Sequence, residues 1–365
     1  MQKDQRFHAV SNDFRDPFSR DRDRVIHSSS FRRLEYKTQV FINHVGDYFR
    51  TRLTHSIEVS QIARSLAKHL GINEALVEVI GLSHDLGHTP FGHVGGDELD
   101  RLLKADGFVN GFEHNFQSFR TVHQLENRYK EFRGLNLTYG TLEGLIKHSY
   151  PYKKRFYTDW HIEQFALDYH PSLEAVIVDF SDEIAYISHD IDDGVKYGLI
   201  SFNDLMENEI VQIIDAEVQA EGISRQDKIY RYRFVSKLIN FLVFELLQHS
   251  DKKMITEINQ NAIRLPASEA LPISYPNAIA TELKKLKKIL FAKLYRHEKI
   301  AKNMYFGKQC VAGLYKALMS DKTLLPTDHH IELANKNHHR VVADYIASMT
   351  DRHATNLYKE LYFGV

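Results

Sequence analysis

Residues 50–93 read RTRLTHSIEVSQIARSLAKHLGINEALVEVIGLSHDLGHTPFGH, and this stretch decides how the rest of the chain is understood. From Thr54 onward, Ile57, Ile62, Leu66 and Leu70 recur on one helical face, with Thr54 as the expected N-cap and Gly71 placed to stop the helix. A second helix is expected from Asn73, carrying Leu76, Val79 and Ile80 and reaching the His84–Asp85 pair at its C-terminal end. The loop 87–96 is rich in glycine and holds Pro90, so it can turn sharply and return side chains over that helix end. His55, His84, Asp85, His88 and His93 thus fall on helix ends and one short loop. Imidazole nitrogens with a carboxylate are a ligand set that divalent cations accept. The stretch therefore reads first as a metal site.

The chain around it has 365 residues, 43% hydrophobic and 26% charged, enough to bury a substantial core. Lys and Arg total 47 against 48 for Asp and Glu, so no global field argues for nucleic acid or membrane. Cys310 is the single cysteine, which excludes an intrachain disulfide, implies a reducing compartment and leaves metal binding to nitrogen and oxygen donors. No run approaches the roughly 18 apolar residues of a membrane span, and the first residues show no signal-peptide core. The expectation is a soluble, cytoplasmic protein.

Outward from the opening stretch, residues 1–19 read as a frayed or docking leader and 20–39 as a salt-laced surface helix. Residues 38–51 set β-branched and aromatic residues on either side of Asn-His-Val-Gly-Asp, which fits one short hairpin, the only β structure expected. Amphipathic helices are expected at 97–106, 112–126, 141–149, 172–198, 203–219, 224–250, 279–297 and 299–320, with one or two more in 338–361. The segment 257–276 is the expected long connection. The fold class is all-α, a single helical domain over 1–365 with its core at about 50–200 and a helical C-terminal extension at about 201–365.

In the helix expected at 172–198, Asp182, Tyr186 and Asp190 follow one another at i, i+4 and i+8 and share a face. Asp179, His189 and Asp193 lie close to that stripe, while Val176, Val178, Ile184, Ile187 and Ile191 cover much of the remainder. A helix so apolar should not carry a row of acids without partners. A polar cavity holding a cation is the economical explanation. His55, His84, Asp85 and Asp182 would then converge on one divalent ion, leaving positions for water and substrate oxygens.

A His-Asp dipeptide alone carries little, since a second occurs at His189–Asp190. The ordered set Arg-x-x-His, His-Asp-x-Gly-His-x-Pro-Phe-x-His and Asp-x3-Tyr-x3-Asp carries far more. With RDRDRVIHSSSFRRLEYKTQVF, FEHNFQSFR and VADYIASMTDRHATNLY in the same order, the chain resembles the HD-domain phosphohydrolases. Within them it is most similar to the deoxynucleoside triphosphate triphosphohydrolases.

The resemblance implies an HD-domain helical fold and hydrolysis of a dNTP, dGTP or a broader set, to deoxynucleoside and inorganic triphosphate by water attack at the α-phosphorus. It implies His55, His84, Asp85 and Asp182 as ligands of one divalent ion per subunit. Mg2+ or Mn2+ comes first, and Fe2+, Co2+, Ni2+ and Zn2+ are also admitted by the donor set. Arg52 matches a phosphate contact, and His93 and His114 match catalytic histidines. Where many relatives carry an acid to orient the loop histidine, this chain has Gly96, with Asp97 or Glu98 as substitutes. His88 is placed to reach phosphate, Gln39 matches a residue near sugar and base, and Tyr186 and Asp190 match residues that read the deoxyribose. A homo-oligomer follows from the resemblance alone.

Two other readings accompany this one. An HD phosphohydrolase acting on monophosphates, cyclic nucleotides or alarmones would use the same metal group. A protein binding single-stranded nucleic acid around a vestigial metal site is motivated by RDRDR, RRLEYK and KKRFY.

Overall fold

The computed structural model describes residues 2–11, 14–39, 50–149, 159–328 and 337–364, and builds them from helices and turns with isolated β-bridges and no sheet. The all-α expectation holds. Helix α1 (Pro17–Ile26) starts where the Asp16 carboxylate accepts the backbone N–H groups of Phe18 and Ser19, both at 3.0 Å, with proline in its first turn. Helix α2 (Ser29–Arg33) is capped by the Ser28 hydroxyl, so the charged stretch 20–39 forms two short helices rather than one. The leader docks: Arg6 pairs with buried Asp21, and the backbone carbonyls of Lys3 and Gln5 accept from Gly140 and Tyr139 at 2.8 Å. The ends of the expected hairpin meet as an antiparallel bridge between Thr38 and Thr51, while residues 40–49 lie outside the described residues.

Helix α3 (Arg52–Leu70) begins two residues earlier than expected, because Thr51 and Thr54 cap reciprocally. The Thr54 N–H reaches the Thr51 hydroxyl at 3.3 Å, and the Thr51 N–H reaches the Thr54 hydroxyl at 3.0 Å. Ile62, Leu66 and Leu70 are buried as expected, but Ile57 is 51% exposed and is not part of that face. Gly71 closes the helix at φ +68, with the Ile72 N–H returning to the Ala67 carbonyl at 2.9 Å. Helix α4 (Glu74–Ser83) is capped by the Asn73 side chain at 3.0 Å.

Helices α5 (Gly92–Ala105), α6 (His114–Arg120), α7 (Tyr139–Ile146) and α8 (Asp159–Phe165) follow, and a π-helical turn, Thr121–Leu125, extends α6. Next come α9 (Leu173–Lys196), α10 (Phe202–Leu205), α11 (Glu209–Ala220), α12 (Tyr230–His249), α13 (Lys252–Asn261) and α14 (Asn277–Leu290). A π-helical turn, Phe291–Tyr295, ends α14, and α15 (Glu298–Ser320), α16 (His338–Ser348) and α17 (Asp351–Phe363) complete the order. The connection expected at 257–276 is shorter, because α13 occupies its first turn and only 262–276 joins helices.

The chain divides into two compact units that interleave: residues 1–56, 82–167 and 302–365 in one, 57–81 and 168–301 in the other. Neither is a consecutive segment. In the first unit, Phe91, Leu99 and Leu103 pack with Leu314, Leu318, Val341, Val342 and Ile346. Buried Asp351 accepts from the N–H groups of Thr38 and Phe91 at 3.0 and 2.9 Å, which fastens the loop before α5 to the start of α17. Phe91 itself sits at φ +62, a backbone position unfavourable for a bulky residue, and its buried ring and N–H contact hold it there. In the second unit, Tyr230, Phe234, Leu238, Leu242 and Leu246 form a fully buried i, i+4 stripe on α12.

Two predictions follow from close packing and from paired charge. A Cβ on Gly87 would lie 2.1 Å from the Ser118 nitrogen and 2.3 Å from the His114 carbonyl oxygen, both backbone atoms that cannot swing aside. Gly87→Ala is expected to destabilise the chain by about 3 kcal/mol in urea unfolding, the upper part of the range for overpacking. In the second unit, Arg225 donates to Asp215 at 2.7 and 2.6 Å, joined by Tyr230 and by Gln219 at 2.7 Å. These bonds, Arg225 first, hold the Asp215 carboxyl down from 3.8 to about 2. A depressed carboxylate stabilises the fold above its unfolded pKa and stops doing so as pH falls through the folded one. The Asp215 contribution, of order 2 kcal/mol, should therefore be present at pH 7 and lost between about pH 4 and pH 2. Asp215→Asn should flatten that part of the acid-unfolding profile; an unchanged profile would remove this account.

Candidate active site

The reciprocal threonine cap that starts α3 places Arg52 and His55 in its first turn, three residues apart and on one face. Arg52 is 1% exposed, and its Nη1 donates to Asp85 Oδ2 at 2.8 Å. The remaining guanidinium nitrogens, Nε and Nη2, are buried and make no hydrogen bond. Arg52 Nη2 and the Gln39 carbonyl both come close to Gly92, and the Gln39 side-chain oxygen is likewise buried without a hydrogen bond.

Asp85 stands at the centre of this group. Its Oδ1 lies 3.0 Å from His88 Nε2 and 3.4 Å from His84 Nε2, and its Oδ2 lies 3.9 Å from His55 Nε2. Burial would raise the Asp85 carboxyl, but His84, Arg52 and His88 more than offset it and hold it well below the usual carboxylate range. Burial, with Arg52 and His114 beside it, holds His88 well below the usual histidine range, so its imidazole is neutral and Nε2–H donates to Asp85. The His55 and His84 rings stand edge to face at 5.4 Å between centroids.

Two buried imidazoles and an ionised carboxylate match the nitrogen and oxygen donors that divalent cations take. A carboxylate has lone-pair directions to spare beyond those engaged by Arg52 and His88. The Arg52 nitrogens without acceptors mark the same place as one for an anion. The residues present therefore fit a metal ion with an anionic substrate.

His148 was missed in the sequence. Its buried ring lies 5.1 Å from that of His84, and its carbonyl accepts from the Asn115 side chain at 3.2 Å. It follows the end of α7, where no spacing rule connects it to His84.

His88, His93 and His114 form a second cluster, with one nitrogen of each within 4.8 Å of the others. They line a cavity of about 70 Å3 together with Asp97, Asp100 and Glu113. The His88 and His114 ring centroids are 4.0 Å apart, and His114 Nδ1 lies 3.0 Å from the Glu113 carboxylate. Glu98 is not on this cavity. Its buried carboxylate takes Arg101 at 2.9 and 2.6 Å and Lys308 at 3.7 Å. The acids that α5 brings to the cavity are Asp97, one turn after His93, and Asp100. Gly96 leaves open space, its nearest neighbours being 3.7 Å from where a Cβ would stand.

In the second unit, α9 presents Asp182 and Tyr186 half-buried and Asp190 fully buried. Part of the row of acids is met by protein partners. Asp190 accepts from the Tyr295 hydroxyl and lies 3.1 Å from His189 Nδ1, and Asp192 pairs with Arg231. The Tyr186 and Tyr295 rings are parallel within 9° at 6.5 Å between centroids. Burial, then Asp190 and Asp182, raises the Tyr186 hydroxyl well above its ordinary value, so it stays protonated. Tyr295 was also missed, since the π-helical turn that delivers it leaves no periodic signal.

Comparison with known proteins agrees with this architecture. The HD domain profile matches residues 52–187, and that of a phosphohydrolase-associated domain matches 273–360. A deoxyguanosinetriphosphate triphosphohydrolase-like protein of Wolinella succinogenes is 60% identical over 366 residues, covering 100% of both chains. Proteins of the same description are 43% identical in Geobacter sulfurreducens, over 96% of this chain and 89% of that one, and in Thiobacillus denitrificans, over 95% and 91%. No helix among the described residues is long and apolar enough to cross a membrane. The chain belongs to the deoxyguanosinetriphosphate triphosphohydrolase-like family of HD-domain phosphohydrolases.

Proposed function

We propose that this chain hydrolyses deoxynucleoside triphosphates to deoxynucleoside and inorganic triphosphate, with His55, His84, Asp85 and Asp182 holding one divalent ion. The observation that carries the reading is Arg52: a buried guanidinium anchored to Asp85 by one nitrogen, with two more that make no hydrogen bond. An arginine so placed is suited to a phosphate oxygen, which it can meet with two parallel hydrogen bonds. A bound divalent ion, Mg2+ or Mn2+ first among those the donors admit, would neutralise phosphoryl charge and lower the pKa of water.

The chain's own residues supply the rest. Water adds to the α-phosphorus, the bond from phosphorus to the 5′ oxygen breaks, and the departing oxygen takes a proton. His93, with Asp97 one turn away, is the proposed donor, and His114, held by Glu113, supports it. Neutral His88, fixed through Asp85, lines the same cavity and offers its other nitrogen toward phosphate. Tyr186 is the proposed floor for the deoxyribose, a ring too close to C2′ to admit a ribose hydroxyl. Asp190, oriented by Tyr295, would accept from the 3′ hydroxyl, and Gln39 would lie near the base. The relatives' names refer to dGTP, and dGTP is the first substrate to test.

With Mn2+ and each of the four dNTPs, chromatography should show inorganic triphosphate as the first phosphorus product. Pyrophosphate or orthophosphate appearing first would overturn the reading in favour of another phosphohydrolase reaction. His55→Ala and Asp182→Ala should lose bound metal and turnover together. His93→Ala should keep the metal and lower kcat by about 10²–10⁴. Tyr186→Ala should weaken discrimination against ribonucleotides by roughly tenfold or more; unchanged discrimination would discard the sugar assignment.

A further inference from the structure

The stretch 342–358, VADYIASMTDRHATNLY, contributes no group to the reaction above, yet it places one carboxyl group beside the histidine loop. Asp351 opens α17, is 3% exposed and divides its two oxygens between separate segments of the first unit. Oδ2 accepts from the Thr38 N–H at 3.0 Å and from the Thr38 hydroxyl, and Oδ1 accepts from the Phe91 N–H at 2.9 Å. A carboxyl group this buried costs free energy unless its oxygens are met, and here three donors meet them.

Each segment that Asp351 joins bears on the site. Thr38 stands between Gln39 and Lys37, and the Lys37 carbonyl accepts the Arg52 N–H at 3.3 Å. Phe91 comes two residues before His93, and its left-handed backbone, φ +62, is one that a bulky residue adopts only under constraint. The constraint has two parts. The ring is wedged against α15, where a Cβ on Gly307 would come 2.7 Å from the Phe91 Cβ, and the N–H is held by Asp351. From Phe91 the chain passes through Gly92, whose Cβ position would lie 3.4 Å from the Gln39 carbonyl oxygen and 3.5 Å from Arg52 Nη2, directly to His93.

We propose that Asp351 is a positioning residue for the reaction: by holding the Phe91 amide against Thr38, it fixes where His93 stands relative to Gln39 and Arg52. It acts through His93 rather than on substrate, and so rests on the assignment of His93 as proton donor above. A donor must come within hydrogen-bond reach of the departing oxygen, and a misplacement of about 1 Å is enough to cost roughly 100-fold in rate. One carboxyl group from the far end of the sequence thereby sets the separation between the group that donates the proton and the groups that hold the substrate.

Asp351→Asn keeps the shape but replaces one acceptor oxygen by an N–H2 donor, so Thr38 and Phe91 can no longer both donate to it. With Mn2+ and dGTP, kcat should fall by roughly 10- to 100-fold, while circular dichroism and bound metal per chain stay as in the wild type. A packing role alone would lower the melting temperature and leave kcat of the folded chain unchanged, and that result overturns the proposal. The same substitution made on His93→Ala should lower kcat by less than about threefold further, because a residue that acts through His93 has nothing left to act on. Losses that multiply overturn it as well. Hydrogen exchange of the ligand-free chain separates this from the reading of the reaction: the peptide spanning residues 88–93 should exchange about tenfold faster in Asp351→Asn. If His93→Ala leaves kcat unchanged, the assignment of His93 falls, and exchange alone decides whether Asp351 holds the loop; unchanged exchange overturns that hold. If Asp351→Asn does not fold, Thr38→Val, which removes the hydroxyl donated to Asp351, should give the same pattern at smaller size, and an unchanged kcat there overturns the proposal.

Discussion

A buried carboxylate is costly unless its charge is met, and in the first unit that demand is made by Asp85. Arg52 approaches from the first turn of α3, His84 from the end of α4 and His88 from the following loop, and together they keep it ionised. Each partner constrains something further away. Arg52 is aimed by the threonine cap that starts its helix, and His88 by a loop whose backbone is fixed at Gly87 and at its own carbonyl. The Gly87 N–H donates to the Ser118 hydroxyl at 2.8 Å, and that hydroxyl donates to the His84 carbonyl at 2.6 Å. A helix carrying His114 is thereby joined to the loop that carries His88 and His93. Charge at one carboxylate thus sets the positions of the histidines around it.

Another buried charge, Lys37, answers the same problem differently. It meets two backbone carbonyls rather than an acid, and burial, with Arg33 and Arg52 nearby, brings its pKa down to about 7. The ammonium ties the loop to Ala347, and Asp351 ties Thr38 and Phe91 to the start of α17. The C-terminal helices are therefore part of what shapes the loop, not an appendage to it.

Much of this was legible from residue patterns, and the failures have physical reasons. The helices follow from apolar period and caps, and the ligand candidates stood out because histidines and an aspartate cluster at helix ends. Thr51 and Thr54 are equally good caps on paper, and only the direction in which the chain enters α3 makes the pair reciprocal. Ile57 lies five residues before Ile62, roughly 140° round the helix, so it faces outward while Ile62, Leu66 and Leu70 share the buried side. Lys37 belonged to a charged run that reads as solvated surface, and the carbonyl that buries it comes from Ala347, which no local rule connects to it. His148 and Tyr295 reach their partners through tertiary placement and a π-helical turn. Asp97 and Glu98 both follow His93 closely in sequence, but helical geometry turns Glu98 toward Arg101 and leaves Asp97 on the cavity.

The interleaving of the two units has a consequence for how the protein is made. Helix α5 carries Phe91, Leu99 and Leu103 on the side that packs against Leu314, Val341 and Ile346. A chain emerging from the ribosome presents the histidine loop and that apolar face first, while the helices that cover them are synthesised later. Exposed apolar surface in an incomplete chain is open to aggregation and to chaperones. A chain lacking those later helices would carry an uncovered half-core under the histidine loop, so quality control would read it as misfolded before any loss of chemistry could be measured.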